Sequence, residues 1–222
     1  MGDSVALSLL PAARADGTVV TNIATRFGCG TVPFVAVANG VILRPEEPLC
    51  RDWEENRVKE IAAQPADVGV LYLGPWEQYD RWVEDSEARV GTEAWTRATV
   101  DDYRRVINEL RPHVKRIAVV LNHCRGAPET DLPVEMMYRS GRFAPVVNDL
   151  ERIKATNAAA LQAIREEAVL AQILDPGVLL CKDGFKSEVK GVPLYTDGVH
   201  FSESGADLVW GWVISSLRDQ SE

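Results

Sequence analysis

Two short apolar runs constrain this chain more than any other feature. Val68 to Leu73 reads Val-Gly-Val-Leu-Tyr-Leu, and Arg116 to Asn122 carries Ile-Ala-Val-Val-Leu. Neither is long enough to stand as a helix, and neither alternates apolar with polar. Both therefore read as strands covered on two faces. Strands of that kind belong to parallel sheets, whose crossover connections lay helices over them. The intervening chain supplies the helices. Asp52–Ala63 stops before Pro65, and Val100–Leu110 gathers Tyr103, Val106, Ile107 and Leu110 on one face. Val147–Glu167 is expected to turn Leu150, Ile153, Leu161 and Ile164 inward, and Ser202–Leu217 closes the chain. Val169–Leu174 reads as a last strand, and Thr18–Ile23, β-branched after Asp16-Gly17, as an early one. Ser4–Ala15 is an apolar helix with Pro11 inside it, which predicts a kink or an early end. The expected fold class is α/β, a three-layer α/β/α sandwich on a central parallel sheet, with residues 1–222 as one domain. Two stretches remain as connections: a Gly- and Pro-rich loop from Phe27 to about Pro48, and a long Trp-rich one from Gly74 to about Thr99.

The net charge of −9 argues against a nucleic-acid backbone or an anionic membrane as main partner. No apolar run approaches the length of a bilayer-spanning helix. The opening Met1-Gly2-Asp3-Ser4 has no basic region before an apolar stretch and does not read as a secretory leader. The four cysteines, Cys29, Cys50, Cys124 and Cys181, contain no Cys-x-x-Cys pair, which disfavours a zinc ribbon or a thioredoxin-type site. They fit two disulfides made in an oxidising compartment, or four buried thiols in a cytosolic, lipase-like enzyme. If they are oxidised, Cys29 is expected to pair with Cys50 across the Gly/Pro-rich loop. Cys124 is then expected to pair with Cys181, each following an apolar run that brings the chain to one edge.

The chemistry sits near the two ends. Gly2-Asp3-Ser4-Val5 stands immediately before an apolar helix, and a serine at such a turn exposes its hydroxyl while its backbone N–H points outward. Gly2 lets the chain turn tightly. An ordinary helix cap by Asp3 or Ser4 would leave the same trace. Near the other end, Thr196-Asp197-Gly198-Val199-His200-Phe201-Ser202 precedes the closing helix. An acid three residues before a histidine can hold the imidazole Nδ1 and leave Nε2 free to take a proton from serine. His113, at a helix end, reads as solvated. His123, beside Cys124, reads more readily as a packed side chain than as a catalytic one. Trp76, Tyr79, Trp82 and Trp95 are either a platform for a sugar ring or the packing of a long loop.

Gly2-Asp3-Ser4 and Asp197-Gly198-Val199-His200-Phe201 match the first and last motif blocks of SGNH (GDSL-like) hydrolases. Gly28-Cys29-Gly30 looks like the second block. The resemblance spans essentially the whole chain. It is closer to the extracytoplasmic SGNH domains fused to membrane O-acyltransferases of acyltransferase family three, which share the Gly-Cys pair, a Trp-containing third block and the Asp-Gly-Val-His-Phe ending. The resemblance implies an SGNH/flavodoxin-like sandwich, with Ser4 as nucleophile, His200 as base and then acid, and Asp197 orienting His200. It implies an oxyanion hole built from the N–H groups of Ser4 and Gly28, and no cofactor. In the third block Gly74-Pro75-Trp76-Glu77 stands where the family has Gly-x-Asn-Asp, so Trp76 takes the place of the oxyanion asparagine. The third donor is then the Trp76 indole, Gln78 or Asn122. The family also carries a strand before Gly-Asp-Ser that this sequence does not, which reads as a fragment of a longer, membrane-anchored protein or as a sheet without that strand.

The function that follows is transfer of a short acyl group, through an acyl-serine, to water or to a sugar hydroxyl. The partners are an acyl ester or other acyl donor, a carbohydrate acceptor and an N-terminal membrane acyltransferase domain. The location is extracytoplasmic and membrane-tethered. The alternative is a catalytically weak carbohydrate-binding SGNH-like module, favoured by the loss of the third-block asparagine and disfavoured by the intact Ser4, Asp197 and His200.

Overall fold

A computed structural model describes residues 1–15, 24–25, 28–32, 34–38, 40–43, 49–63, 65–128, 143–167 and 169–219. The strand expected over Thr18–Ile23 lies outside these residues, as does the stretch 129–142. Helices α1 (Ser4–Ser8) and α2 (Leu10–Ala15) are separated at Leu9, with Pro11 in the first turn of the second, where a missing N–H is harmless. A small hairpin of β1 (Ala36–Ala38) and β2 (Val41–Leu43) leads to α3 (Leu49–Ala63) and β3 (Ala66–Tyr72). After a 3-10 turn at Pro75–Gln78 come β4 (Asp80–Val83), β5 (Ser86–Ala88) and α4 (Glu93–Leu110). Then follow β6 (Val114–Val120), α5 (Phe143–Val147), α6 (Leu150–Glu166), β7 (Ala171–Leu174) and the short α7 (Gly177–Leu180). The pair β8 (Glu188–Val189) and β9 (Val192–Pro193) precedes the closing α8 (Glu203–Asp219).

The parallel strands are those the apolar runs predict. β3 pairs with β6 with Val70 beside Ala118, and β6 pairs with β7 with Val119 beside Ile173. Successive side chains on these strands point to opposite faces. Tyr72, Ala118, Val120 and Leu174 meet Val5, Leu9 and Ala12 of α1 and α2 and Val209 and Val213 of α8. Leu71, Leu73, Ile117, Val119 and Leu121 meet Tyr103, Val106 and Ile107 of α4 and Ala159 and Ala163 of α6. Helices thus cover both faces, and the fold is the three-layer α/β/α sandwich. Full burial of each of these larger aliphatic side chains contributes about 1.5–3 kcal/mol.

Met1 and Gly2 extend the edge of the parallel sheet ahead of Asp3. Met1 accepts from Tyr72 N–H at 2.9 Å and donates to Val70 O at 2.6 Å. On the other side Gly2 N–H donates to Ala24 O at 3.2 Å and bridges Thr25 in parallel. Ser4 therefore leaves the sheet beside the C-terminal end of β3, where open α/β sheets collect their functional groups.

Three expectations need correction. The two stretches read as connections contain a second sheet, antiparallel, in the order β2-β1-β4-β5. The β4–β5 turn uses Glu84 and Asp85 at positive φ, without the Asn-Gly signal that normally marks such hairpins. Helix α4 begins at Glu93, seven residues before the expected start, with the Thr92 hydroxyl accepting from Trp95 N–H. Finally, Asp149 caps a new helix by accepting from Glu151 and Arg152 N–H, which breaks the expected Val147–Glu167 helix. Leu150 then falls in the first turn and is 49% exposed, while Ile153 and Ile164 are buried as expected.

Both expected disulfides form. Cys29 is joined to Cys50, and Cys124, just after β6, to Cys181, just after α7.

Candidate active site

Ser4 is the first residue of α1, and it is buried to 4% exposure. Asp3 adopts an extended conformation ahead of it, and its Oδ1 accepts from Val5 N–H at 2.8 Å, the ordinary cap that starts the helix. The turn is tight: a Cβ on Gly2 would lie 2.5 Å from Ala6 Cβ and 3.0 Å from Tyr72 O, so only glycine fits.

His200 Nε2 lies 2.8 Å from Ser4 Oγ, and His200 Nδ1 lies 2.6 Å from Asp197 Oδ2. The other oxygen, Oδ1, accepts from the N–H groups of Val199 at 2.9 Å and His200 at 2.7 Å. These two bonds fold the Asp-x-x-His segment so that carboxylate and ring meet edge to edge. Gly198 allows that fold, with φ +81° and a position where a Cβ would fall 2.1 Å from Gly126 O. Gly126 N–H donates to Gly198 O at 3.0 Å, which seats the loop on the segment after β6.

Burial pushes the Asp197 carboxyl up. The hydrogen bonds from the His200 ring and from the N–H groups of His200 and Val199 outweigh it and hold the group below the usual carboxylate range. An ionised Asp197 facing Nδ1 fixes the proton there and leaves Nε2 as an acceptor for the Ser4 hydroxyl. The arrangement can remove a proton from Ser4 and stabilise the imidazolium that results.

The remaining expected site residues fall into two groups. Gly74 and Asn122 are linked to each other and to Asp3. Asn122 Nδ2 donates to Gly74 O at 2.9 Å, and a Cβ on Gly74 would sit 1.7 Å from Asp3 Oδ2. Asn122 is also paired through its own backbone with Asn157, which accepts from Asn122 N–H and donates to Asn122 O. The amide expected among the oxyanion donors thus has one of its hydrogens committed to holding the third-block turn. Gly28 and Trp76 belong to the second and third blocks further along. Gly28 turns at φ +77° next to the Cys29–Cys50 bridge. Trp76 is 6% exposed and packs with Ala36, Ala38, Tyr79 and Val146. Gln78 is fully buried, and its side-chain amide has no hydrogen-bond partner among the described residues.

Of the four aromatic residues considered as a sugar platform, Trp76, Tyr79 and Trp95 are buried and Trp82 is exposed. Packing accounts for the three buried ones. His123 is buried, stacked on Phe201 at 5.6 Å, and burial together with the nearby Arg125 holds its pKa well below the ordinary value. It is a neutral packed ring, in line with the sequence reading.

Two charged groups were given no role by the sequence because only burial sets them apart. Glu77 accepts from Thr31 N–H at 2.5 Å, Val32 N–H at 3.3 Å and Gly74 N–H at 3.2 Å, tying the second block to the third. Burial and the neighbouring Asp3 push its carboxyl up to about 7. Arg125 is the second, at a sequence position like that of any solvated charge, and Asp3, legible as a helix cap, proves fully buried as well.

The family model for the SGNH domain fused to AT3 domains matches residues 1–210. A search of curated proteins gives no match. The periplasmic domain of a lipopolysaccharide acetyltransferase from Salmonella ser. Paratyphi A superposes with a TM-score of 0.58 at 15% identity, over 97% of this chain and 81% of that one. A GDSL-like lipase from Bacteroides thetaiotaomicron gives 0.58 at 8% identity, over 99% and 86%. A lipase/acylhydrolase from Enterococcus faecalis gives 0.50 at 14%, over 99% and 93%. At these identities the likeness is one of fold.

Proposed function

The chain belongs to the SGNH domain family fused to AT3 domains, and from that membership and the site geometry we propose that it transfers a short acyl group through an acyl-Ser4 ester. The observation that carries the reading is the unbroken path from Ser4 Oγ through His200 to Asp197. Ser4 Oγ attacks the carbonyl carbon of an acyl ester while its proton passes to His200 Nε2. Asp197 holds the imidazolium. The negative oxygen of the tetrahedral intermediate is met by the N–H groups of Ser4 and Gly28. When the intermediate collapses, the bond to the leaving alcohol breaks and His200 returns the proton to it. A second hydroxyl, from water or a sugar, then attacks acyl-Ser4 with His200 again taking the proton; the bond between the acyl carbon and Ser4 Oγ breaks, and His200 returns the proton to Oγ.

The acceptor class we favour is a carbohydrate, with acetyl as the acyl group. Family membership supports this, as does the fold shared with a lipopolysaccharide acetyltransferase domain. Two disulfides suit an oxidising, extracytoplasmic compartment. In the longer polypeptide that the family name describes, the AT3 membrane domain would be the source of acyl groups.

Stoichiometric labelling by a fluorophosphonate tests the nucleophile. One adduct per chain on the Ser4 peptide, absent in Ser4→Ala and His200→Ala, is expected. Labelling that persists in Ser4→Ala would overturn the assignment.

A further inference from the structure

Behind the Ser4 helix lies a buried ring of polar groups that the transfer steps do not themselves use. Asp3 is fully buried and Arg125 is 2% exposed. Asp3 Oδ2 has no hydrogen-bond partner among the described residues and rests against Gly74. Gly74 O is held by Asn122 Nδ2 at 2.9 Å. Asn122 Oδ1 accepts in turn from Arg125 Nη1, which also donates to His123 O at 3.1 Å. Arg125 Nε and Nη2 are left without partners among the described residues. The path therefore runs from the buried Asp3 carboxyl group through Gly74 and Asn122 to the buried Arg125 guanidinium. The next residue, Gly126, carries the Asp197–His200 loop through Gly198.

Charge closes the ring. Burial pushes the Asp3 carboxyl up, and the strongest influence opposing it is Arg125, ahead of the Val5 N–H bond, His200 and the Ala6 N–H bond. Burial likewise weakens Arg125 as a cation, and Asp3 is the largest influence restoring it. The other titratable groups acting on this pair are Glu77 on the Pro75–Gln78 turn, Tyr72 at the end of β3, Tyr195 beside β9, Tyr103 on α4, and His200 and His123. Among them Arg125 is the one fixed cation, so it is the group that most favours ionisation of the Asp3 carboxyl.

We propose that Arg125 is a positioning residue for the Ser4 reaction: it supplies the countercharge for the Asp3 carboxylate that caps the nucleophile's helix, and through Asn122 it fixes the Gly74 turn against that carboxylate. This rests on the reading of Ser4 as nucleophile. Without the guanidinium, Asp3 takes up a proton at a higher pH, the cap on Val5 N–H weakens, and Ser4 loses its fixed relation to His200.

The rate of fluorophosphonate labelling at Ser4, followed as a function of pH, tests it. Arg125→Met should label about tenfold more slowly near neutral pH, with the acid limb of the profile displaced upward and the rate recovering as pH rises. Arg125→Lys, which keeps the charge, should retain the wild-type limb. In an Asp3→Asn background the Met substitution should slow labelling by less than about twofold, the mark of coupling between the two sites. An unshifted limb in Arg125→Met, or equal losses in both backgrounds, would overturn the proposal. If Arg125→Met does not fold, a displaced limb in Arg125→Lys has the same force, and a retained one supports the charge role. Wild-type protein that fails to label at Ser4 would instead defeat the nucleophile assignment, and this proposal with it.

Discussion

Asp197→Asn probes the link between geometry and chemistry with the least disturbance of shape. Among the described residues Asp197 makes three hydrogen bonds, two from backbone N–H groups to Oδ1 and one with His200 Nδ1 through Oδ2. An asparagine keeps the first two, because its carbonyl oxygen can still accept from Val199 and His200 N–H. The loop around Gly198 should therefore persist, and the melting temperature should move little. The third bond reverses. The carboxamide NH2 faces Nδ1, which must become an acceptor, so the ring proton moves to Nε2 and points at Ser4 Oγ. The ring then has no lone pair for the serine proton. A triad that loses its base in this way falls by about 10⁴ in kcat, equivalent to about 5.5 kcal/mol. Hydrolysis of p-nitrophenyl acetate in parallel with thermal unfolding gives both quantities. A loss below about tenfold, with the melting temperature unchanged, would show that the Asp197–His200 bond does not set the protonation of the ring. The depressed Asp197 carboxyl adds a stability that is present above its unfolded value and disappears as pH falls through the folded one. Acid unfolding of the variant should accordingly begin with a shallower slope.

The other expectations concern residues that hold the site together. Glu77 has its pKa raised to about 7 by burial and by Asp3, so its contribution to stability is full below the unfolded value and is lost as pH rises through 7. Glu77→Gln should flatten the fall in melting temperature between mildly acidic and mildly alkaline buffer, and an unchanged slope would contradict that. Gly198→Ala places a Cβ 2.1 Å from Gly126 O at φ +81°. Backbone strain alone costs about 1–3 kcal/mol there, and both activity and melting temperature should drop. Trp76→Asn empties a packed position between Ala36, Ala38, Tyr79 and Val146. It should destabilise the protein by about 3–5 kcal/mol, as truncations of buried aromatics do, and a denaturant midpoint equal to wild type would show that the indole does not support this cluster.

The parallel sheet was legible because its strands announce themselves locally. Val68–Leu73 and the Ile117–Leu121 run inside Arg116–Asn122 are continuous apolar stretches, and the structure places β3 and β6 within two residues of Val68–Leu73 and Arg116–Asn122. The antiparallel sheet was not legible. Its strands are three or four residues long, β4 begins with the buried charges Asp80 and Arg81, and the β4–β5 turn is made by Glu84 and Asp85. Asp80 is stabilised there by Arg152 from α6, 72 residues away, and Arg81 by Asp102 and Thr99 from α4. No local pattern encodes such partners. The site divides along the same line. Ser4, Asp197 and His200 sit in short motifs whose spacing reflects their geometry, and the structure brings all three together. Arg125 and Glu77 act through burial, and burial is a property of the finished fold. Leu150 shows the converse, since one capping aspartate outweighs helical periodicity and turns an apolar side chain outward.

The central claim is a covalent acyl-Ser4 intermediate, and trapping it is the most direct test. Protein mixed with an activated acetyl ester and quenched in acid within the first turnover should gain the mass of one acetyl group. Peptide mapping should place that group on Ser4, and the adduct should be absent from Ser4→Ala. An adduct on another residue, or turnover with no covalent species when deacylation is slowed by low pH, would contradict the account.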